Sequence, residues 1–199
     1  MTYQSDPIAA TIFCIVVACW LGFGVIVAIG KRGAARGAAK RDIKSTLGLL
    51  LQMAAYAICF GLFRTYFSPF LPMSKTAEII VAAFTVLLAL VSTWFCYAAV
   101  RALGKQWALV ARVIEGHELV QQGPFSIVRN PIYFAMLGTL IALGLAVSRW
   151  QGLVAAIIVY LLGTWVRVHT EEKLLREAFG AKFYDYARRV PAFFPRLLR

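Results

Sequence analysis

The sequence is poor in charged residues and in histidine. Of its 199 residues only 15% are charged and two are histidines, whereas 61% are hydrophobic. Soluble domains usually carry about 25% charged residues. This composition argues against an ordinary soluble domain and predicts a polytopic membrane protein with a small polar part.

Cysteine is also scarce, and the four present do not form a pattern typical of a metal site or a disulfide framework. All four lie inside apolar runs and none forms a CxxC pair. We therefore interpret them as small buried hydrophobic residues. The first apolar run lacks a preceding basic segment, so it is expected to be a retained membrane span and not a cleaved signal peptide.

Five apolar runs predict an all-α integral membrane protein with about five transmembrane helices. The first run would extend about 33 Å as a helix, which is enough to cross a bilayer core. Only Ser148 and Arg149 separate the last two runs, so these two should form a tight helical hairpin. The runs cover residues 8–29, 46–63, 79–100, 131–147 and 150–166.

The basic residues, which give a net charge of +12, cluster between the apolar runs. Segment 31–44 holds six basic residues and one acidic residue, and the positive-inside rule places it in the cytoplasm. Five spans then put the N-terminus outside and the C-terminus in the cytoplasm. Segment 31–44 lacks interleaved aromatic residues, so contact with anionic membrane lipids is favoured over nucleic acid.

The chain divides into an N-terminal membrane region, 1–100, and a C-terminal region, 101–199, which contains a polar loop, the hairpin and an amphipathic tail. Within the loop, segment 117–133 is rigidified by Pro124 and Pro131. Its exposed backbone groups could bind a polar ligand, or the prolines could simply start a membrane helix. Because a hairpin brings its two ends together, 117–133 should meet 165–186.

Arg167 and Glu171 are four residues apart and share one face of a predicted helix. An ordinary ion pair between them would contribute only a few tenths of a kcal/mol. Arg167 directly follows an apolar run and could also extend towards the membrane surface. His117 and Glu118 alone match no metal or nucleophile pattern, so the residues by themselves leave these interpretations open.

Several short motifs occur in order around the hairpin, and together they resemble the isoprenylcysteine carboxyl methyltransferase family and the related phospholipid methyltransferases. The resemblance covers roughly residues 100–195. The motifs are Gly-Pro-Phe-Ser-Ile-Val-Arg-Asn-Pro-Ile-Tyr at 123–133, the tandem glutamates Glu171 and Glu172 followed by Lys-Leu-Leu, then Phe179-Gly180, Tyr184-Asp-Tyr186 and Arg189-Val190-Pro191.

The resemblance implies an integral membrane methyltransferase that binds S-adenosylmethionine in a cytosolic pocket. It also implies that Arg167 faces the substrate and that Arg167 and Glu171 act in catalysis. Asn130 stands where the family has histidine, and Phe125 where it has tyrosine. The implied cofactor contacts are His117, Glu118, Leu119, Val120, Phe125, Asn130, Pro131, Ile132, Tyr133 and Glu171.

The acceptor that this resemblance favours is an isoprenylcysteine-like carboxylate, which would enter from the bilayer. Methyl transfer to a carboxylate needs positioning and no general base, so the lack of a catalytic dyad is no objection. The alternatives are a phospholipid amine methyltransferase, an NADPH-dependent membrane reductase of the steroid-reductase type with a similar Arg-His-Pro-x-Tyr pattern, and a non-enzymatic membrane scaffold. The tandem glutamates and the Phe-Gly-x-x-Tyr tail favour a methyltransferase.

Overall fold

The computed structural model describes residues 7–33, 43–64, 70–72, 74–104 and 119–195. Within these ranges the secondary structure is helical apart from turns and one isolated bridge, which confirms the all-α class. The helices are α1 (Pro7–Gly33), α2 (Ile43–Gly61), α3 (Lys75–Leu103), α4 (Pro131–Val147), α5 (Trp150–Phe179) and α6 (Ala181–Arg189), with a 3₁₀ turn at Gly123–Ser126.

Each of the five predicted spans is a helix. Three of the described helices are long and apolar enough to cross a membrane, namely Pro7–Lys31, Lys75–Leu103 and Trp150–Phe179. Large apolar side chains such as Leu87 and Leu162 are exposed on their surfaces, as expected where lipid replaces water. The protein is therefore an integral membrane protein. With 17 and 19 residues, α4 and α2 are near the lower limit for spanning.

Helices α2 and α5 approach each other closely through two glycines. A Cβ atom added to Gly163 would lie 2.8 Å from the Gly48 carbonyl oxygen, and one added to Gly48 would lie 2.5 Å from Arg167 Cγ. Gln52 Nε2 also donates a hydrogen bond of 2.9 Å to Thr164 Oγ1 across this interface. Small residues and polar contacts are the usual means of helix association in lipid, and here they fix α5 against α2.

Helix α4 lies in the centre of the bundle, where Leu140 and Leu143 are fully buried. Two tyrosines donate hydrogen bonds to its backbone. Tyr56 Oη donates to the Met136 carbonyl oxygen at 2.7 Å, and Tyr160 Oη donates to that of Tyr133 at 2.7 Å. Because α4 is held from both sides, the position of its first turn is well defined.

The predicted hairpin is confirmed, with Ser148 and Arg149 between α4 and α5. The segment after α2 closes the end of α4, since Arg64 donates hydrogen bonds to the carbonyl oxygens of Leu145, Ala146 and Ser148. Leu145 and Ala146 belong to the last turn of α4 and Ser148 caps it, and carbonyl groups at a helix end lack partners within the helix. A cation at this end also opposes the helix dipole.

Helix α5 extends beyond the predicted span, which ended at residue 166, and continues without a break to Phe179. Gly180 then adopts a φ of 51°, a conformation that favours glycine, and α6 follows directly. Pro191 lies just beyond the end of α6. One continuous helix therefore carries residues 167–172 from the membrane region to the polar loop.

Candidate functional site

Tyr133, Arg167 and Glu171 form a cluster that we call the polar triad. Tyr133 Oη donates a hydrogen bond of 2.5 Å to Glu171 Oε1. Arg167 Nη2 donates to the same oxygen at 3.2 Å, and the Arg167 guanidinium carbon lies 4.9 Å from the centre of the Tyr133 ring. Three residues selected from the sequence thus contact one another.

The polar triad is largely shielded from solvent, because the side chains of Arg167 and Glu171 are 3% and 22% exposed. Both hydrogen bonds to Glu171 go to Oε1. Its Oε2 atom accepts none from the residues that the structure describes, and it is not fully buried. A ligand that carries hydrogen-bond donors could therefore bind this second oxygen beside a fixed positive charge.

Local sequence explains how the three side chains meet. Pro131 occupies the first position of α4, where a missing N–H has no cost, and Tyr133 therefore lies in the first turn of the helix. The hairpin then runs α5 back beside α4. Arg167 and Glu171 are separated by four residues on α5, so both face the beginning of α4.

A second polar cluster joins Arg129 to Glu172. Both residues lie in the segments expected to meet, but the sequence did not predict that they pair. Arg129 Nε and Nη2 donate to the two carboxylate oxygens of Glu172 at 2.9 and 3.0 Å. Arg176 donates to Glu172 as well, at 3.2 Å. The signal in the sequence was the second of the tandem glutamates, but its partner lies 43 residues away and nothing local identifies it.

Arg129 also holds the C-terminal segment. Its Nη1 atom donates to the carbonyl oxygens of Ala187 and Val190 at 3.0 and 2.5 Å. The backbone N–H groups of Arg129 and Asn130 donate to the carbonyls of Pro191 and Ala192. These hydrogen bonds join the polar loop, α5 and the segment after α6 into one unit. Among the described residues, segments 117–133 and 165–186 therefore meet as the sequence predicted.

The 3₁₀ turn carries Phe125, which is buried, and begins at Gly123 with a φ of 61°. The Phe125 carbonyl oxygen accepts a hydrogen bond of 2.6 Å from Tyr186 Oη. Burial raises the pKa of Tyr186 above its ordinary value, so its hydroxyl stays protonated and remains a donor. Helix α6 therefore packs on the polar loop through Tyr186 and Phe183.

Four of the residues expected to bind the cofactor line a cavity of about 70 Å³, which also includes Glu172, the neighbour of Glu171 in sequence, but none of the three residues of the polar triad. Typical ligand pockets measure about 300–1,000 Å³, so this cavity has room for only part of a nucleoside-sized ligand. The cavity is lined by Leu119, Val120, Phe125 and Asn130 of the expected set, together with Leu103, Arg129, Glu172, Leu175, Phe183 and Tyr186.

The remaining expected residues are placed differently. Pro131 is fully buried and Ile132 packs against the apolar cluster around Val100. Asn130 lines the cavity, but its Nδ2 atom donates to the Ala192 carbonyl oxygen at 2.9 Å. His117 and Glu118 lie outside the described residues. The described parts of the chain contain no group of three or more His, Cys, Asp or Glu side chains that could hold a metal ion.

Comparison with known protein families gives a match that covers this site. A family model described as phospholipid methyltransferase matches residues 80–182, which is just over half of the chain. The matched region includes the hairpin, the polar triad and the Arg129–Glu172 pair.

Two curated relatives are each 34% identical to this chain over 96 residues, or 48% of its length. One is the cobalt-zinc-cadmium resistance protein CzcN of Cupriavidus metallidurans, of which the match covers 44%. The other is the nickel-cobalt-cadmium resistance protein NccN of Alcaligenes xylosoxydans xylosoxydans, of which it covers 45%. The match thus spans less than half the length of either relative.

Proposed function

The chain belongs to the phospholipid methyltransferase family, and from this premise we propose that it transfers a methyl group from S-adenosylmethionine to a lipophilic acceptor. Membership and the apolar helices make it a membrane methyltransferase. The observation that carries the finer proposal is the polar triad, in which a buried arginine and a tyrosine share one oxygen of Glu171.

The residues present fit this cofactor. Glu171 Oε2 is available to accept hydrogen bonds from an ammonium group or a ribose hydroxyl, as a carboxylate does strongly. Phe125 and Phe183 border an apolar cavity suited to part of an adenine ring. When bound, S-adenosylmethionine supplies a methyl group activated by a sulfonium centre. Tyr133 and Arg167 hold the Glu171 carboxylate in one orientation, which is the positioning that such a reaction needs.

We favour a carboxylate acceptor of the isoprenylcysteine type because Arg167 is a buried and permanently charged donor. A guanidinium can hold a carboxylate through a charge-assisted pair, whereas it would repel the ammonium form of an amine. Methylation of a phospholipid amine is the alternative, and it would need a base to remove a proton. Glu171, which is hydrogen-bonded to Tyr133, is the carboxylate that could act as this base.

The acceptor would reach the polar triad from the bilayer, between the helices. The positive-inside rule supports an N-terminus outside and a C-terminus in the cytoplasm, which would put the polar loop and α6 on the cytosolic side. Contacts with membrane lipids follow from the exposed apolar surfaces of the helices. The proposal includes no nucleic-acid partner.

A binding and labelling experiment tests this function. Membranes that contain the protein are incubated with S-adenosylmethionine labelled in the methyl group, and the lipid or peptide that gains the label is identified by mass analysis. We expect labelling of a prenylated cysteine peptide, and loss of cofactor binding in Glu171→Gln. Glu177→Gln, which changes an exposed glutamate on the same helix, serves as the matched control.

Three outcomes would contradict the proposal in different ways. Labelling of a phospholipid amine would identify an amine, and not a carboxylate, as the methyl acceptor. Binding of NADPH in place of S-adenosylmethionine would favour the membrane reductase. Absence of binding of either cofactor at millimolar concentration would favour a scaffold. Unchanged affinity in a stable Glu171→Gln variant would remove Glu171 from the cofactor site.

The names of the two relatives refer to metal resistance, and we propose that methyl transfer by this protein contributes to tolerance of such ions. A strain that lacks the protein should become more sensitive to zinc, cobalt or cadmium. The wild type should restore tolerance and Glu171→Gln should not. Full rescue by Glu171→Gln would show that tolerance does not depend on methyl transfer.

A further inference from the structure

The buried face of α2 meets the polar triad at Gly48. This face carries Ser45, Gly48 and Gln52, all three of them buried, whereas Leu47 and Leu50 lie on the other side of the helix and are exposed. Spacings of three and four residues place the buried set on one side of α2. Gly48 precedes residues 80–182, which match the family model, so the motifs of the matched region do not include it.

Gly48 is in direct contact with the arginine of the polar triad. A Cβ atom added to Gly48 would lie 2.5 Å from Arg167 Cγ and 3.3 Å from the Arg167 backbone nitrogen. Carbon atoms in contact stay about 3.5–4.0 Å apart, so a larger residue at position 48 would overlap the aliphatic part of the Arg167 side chain. The absence of a side chain at Gly48 thus creates the space in which this part of Arg167 lies.

The guanidinium end of Arg167 contacts the other two residues of the triad. Its carbon atom lies 4.9 Å from the centre of the Tyr133 ring, and its Nη2 atom donates to Glu171 Oε1 at 3.2 Å. The Arg167 side chain is only 3% exposed. Because side chains in a close-packed interior have little free space around them, a shift of Cγ also moves the guanidinium. The contact at Gly48 therefore affects how the guanidinium meets Glu171.

Helix α2 is held in place on both sides of this contact. Gln52, one turn after Gly48, donates from Nε2 to Thr164 Oγ1 at 2.9 Å. Further along the same helix, Ala55 and Cys59 are fully buried in the apolar core. A movement of α2 away from α5 would disturb these contacts, so a side chain at position 48 would displace the Arg167 side chain as well as the helix.

We propose that Gly48 is a positioning residue of the candidate site. It places the Arg167 guanidinium against Glu171 and so sets the orientation of the carboxylate that binds the cofactor. This inference rests on the proposed function, because it takes Glu171 as the carboxylate that holds S-adenosylmethionine. Gly48 acts only through Arg167, and α2 thereby contributes to the site from outside the part of the chain that matches the family.

A matched pair of variants separates positioning from packing. Gly48→Ala and Gly163→Ala overpack the same interface, since each added Cβ atom lies within 2.8 Å of a backbone carbonyl oxygen on the other helix. Only the Cβ atom of Gly48→Ala also meets the Arg167 side chain. The nearest atoms to a Cβ atom on Gly163 belong to Gly48, Leu51 and Gln52.

Purified full-length variants in detergent are titrated with S-adenosylmethionine by calorimetry. We expect roughly tenfold weaker binding in Gly48→Ala, the factor that corresponds to loss of one charge-assisted hydrogen bond. Gly163→Ala should bind the cofactor as the wild type does. Equal affinities of the two variants would mean that Gly48 serves packing alone and would overturn the proposal.

Arg167→Ala tests whether the effect of Gly48 passes through the arginine, because it removes the atom that the new methyl group would meet. In this background, Gly48→Ala should weaken cofactor binding no further, a non-additivity typical of residues in contact. Damage to packing alone would reduce the affinity by the same factor in both backgrounds. Such an additive loss in the double variant would also overturn the proposal.

The unfolding midpoints of the same variants give a readout that needs no ligand. Overpacking should lower the midpoint of both glycine variants, that of Gly48→Ala further, and the excess should disappear in the Arg167→Ala background. An excess that persists there would place the overlap at another residue and overturn the proposal. If the wild type binds no S-adenosylmethionine while the excess still depends on Arg167, the proposed function is wrong and the placement of Arg167 by Gly48 stands.

Discussion

Tyr133 and Glu171 lie 38 residues apart in the chain and are joined by a hydrogen bond of 2.5 Å between Tyr133 Oη and Glu171 Oε1. This contact links the first turn of α4 to the part of α5 that follows the apolar run. It fixes one carboxylate oxygen and leaves the other available. The geometry of the candidate site therefore depends on the hairpin as much as on the side chains themselves.

Replacing Tyr133 by Phe should weaken cofactor binding while preserving the fold. The variant removes one donor to Glu171 but keeps the ring beside Arg167. Loss of a hydrogen bond to a charged group costs about 1.5–3 kcal/mol, and we expect at least roughly tenfold weaker binding in a calorimetric titration. The control is Tyr184→Phe, which changes an exposed tyrosine. Equal affinity in the wild type and Tyr133→Phe would contradict this role.

Substitutions of the two tandem glutamates, Glu171 and Glu172, should have different effects on stability and on cofactor binding. Glu172 is paired with Arg129, and the two side chains are 7% and 11% exposed. Removal of one partner of a buried ion pair costs about 3–5 kcal/mol, so Glu172→Gln should lower the thermal unfolding midpoint strongly. Glu171→Gln is the matched variant and should lower the midpoint less while it abolishes cofactor binding, because the Glu171 side chain is 22% exposed and forms one ion pair, whereas Glu172 pairs with both Arg129 and Arg176. The reverse ranking of the two midpoints would refute this division.

Gly163→Ala should destabilise the packing of α2 against α5. The added Cβ atom would lie 2.8 Å from the Gly48 carbonyl oxygen, and backbone cannot move aside as a flexible side chain can. Such overpacking costs about 1–3 kcal/mol. Gly24→Ala is the control, since no atom lies within 4 Å of its added Cβ. Equal unfolding midpoints for the two variants, measured in the same detergent, would be evidence against close packing of these helices.

Tyr186 should make stability depend on pH in the alkaline range. Burial raises its pKa in the folded protein above the ordinary value of 10.0. The hydroxyl therefore contributes stability that is complete below about pH 10 and is lost as the pH rises towards the folded-state pKa. Tyr186→Phe should show a smaller loss of stability between about pH 9 and 11 than the wild type. Parallel profiles for the two proteins would mean that the buried hydroxyl is not responsible.

The helices themselves were largely predictable, because their signals are local. Apolar runs separated by basic or turn-rich segments gave all five long helices, and α4 begins and ends where the sequence predicted. Pro131 and Gly180 mark boundaries because they restrict or permit particular backbone angles. The apolar run ends at residue 166 because polarity increases at Arg167, whereas the helix itself continues to Phe179.

Part of the candidate site was predictable and part was not. The spacing of Arg167 and Glu171 placed them on one helical face, and the hairpin placed their part of α5 near the polar loop. Arg129 and Glu172 belong to the two segments expected to meet, but their pairing was not predictable because they lie on different elements. The hydrogen bond from Asn130 to Ala192 likewise depends on where the C-terminal segment packs.

Sequence alone determined the membrane class, the hairpin and the set of polar residues at its two ends, since these follow from hydropathy and backbone preferences. Only the tertiary structure decided that Glu171 faces Tyr133 while Glu172 faces Arg129. Adjacent residues on a helix point about 100° apart, so their partners depend on the rotation of α5 about its axis. Contacts distant in sequence set that rotation, among them Gly163 against Gly48 and Tyr160 on the backbone of α4.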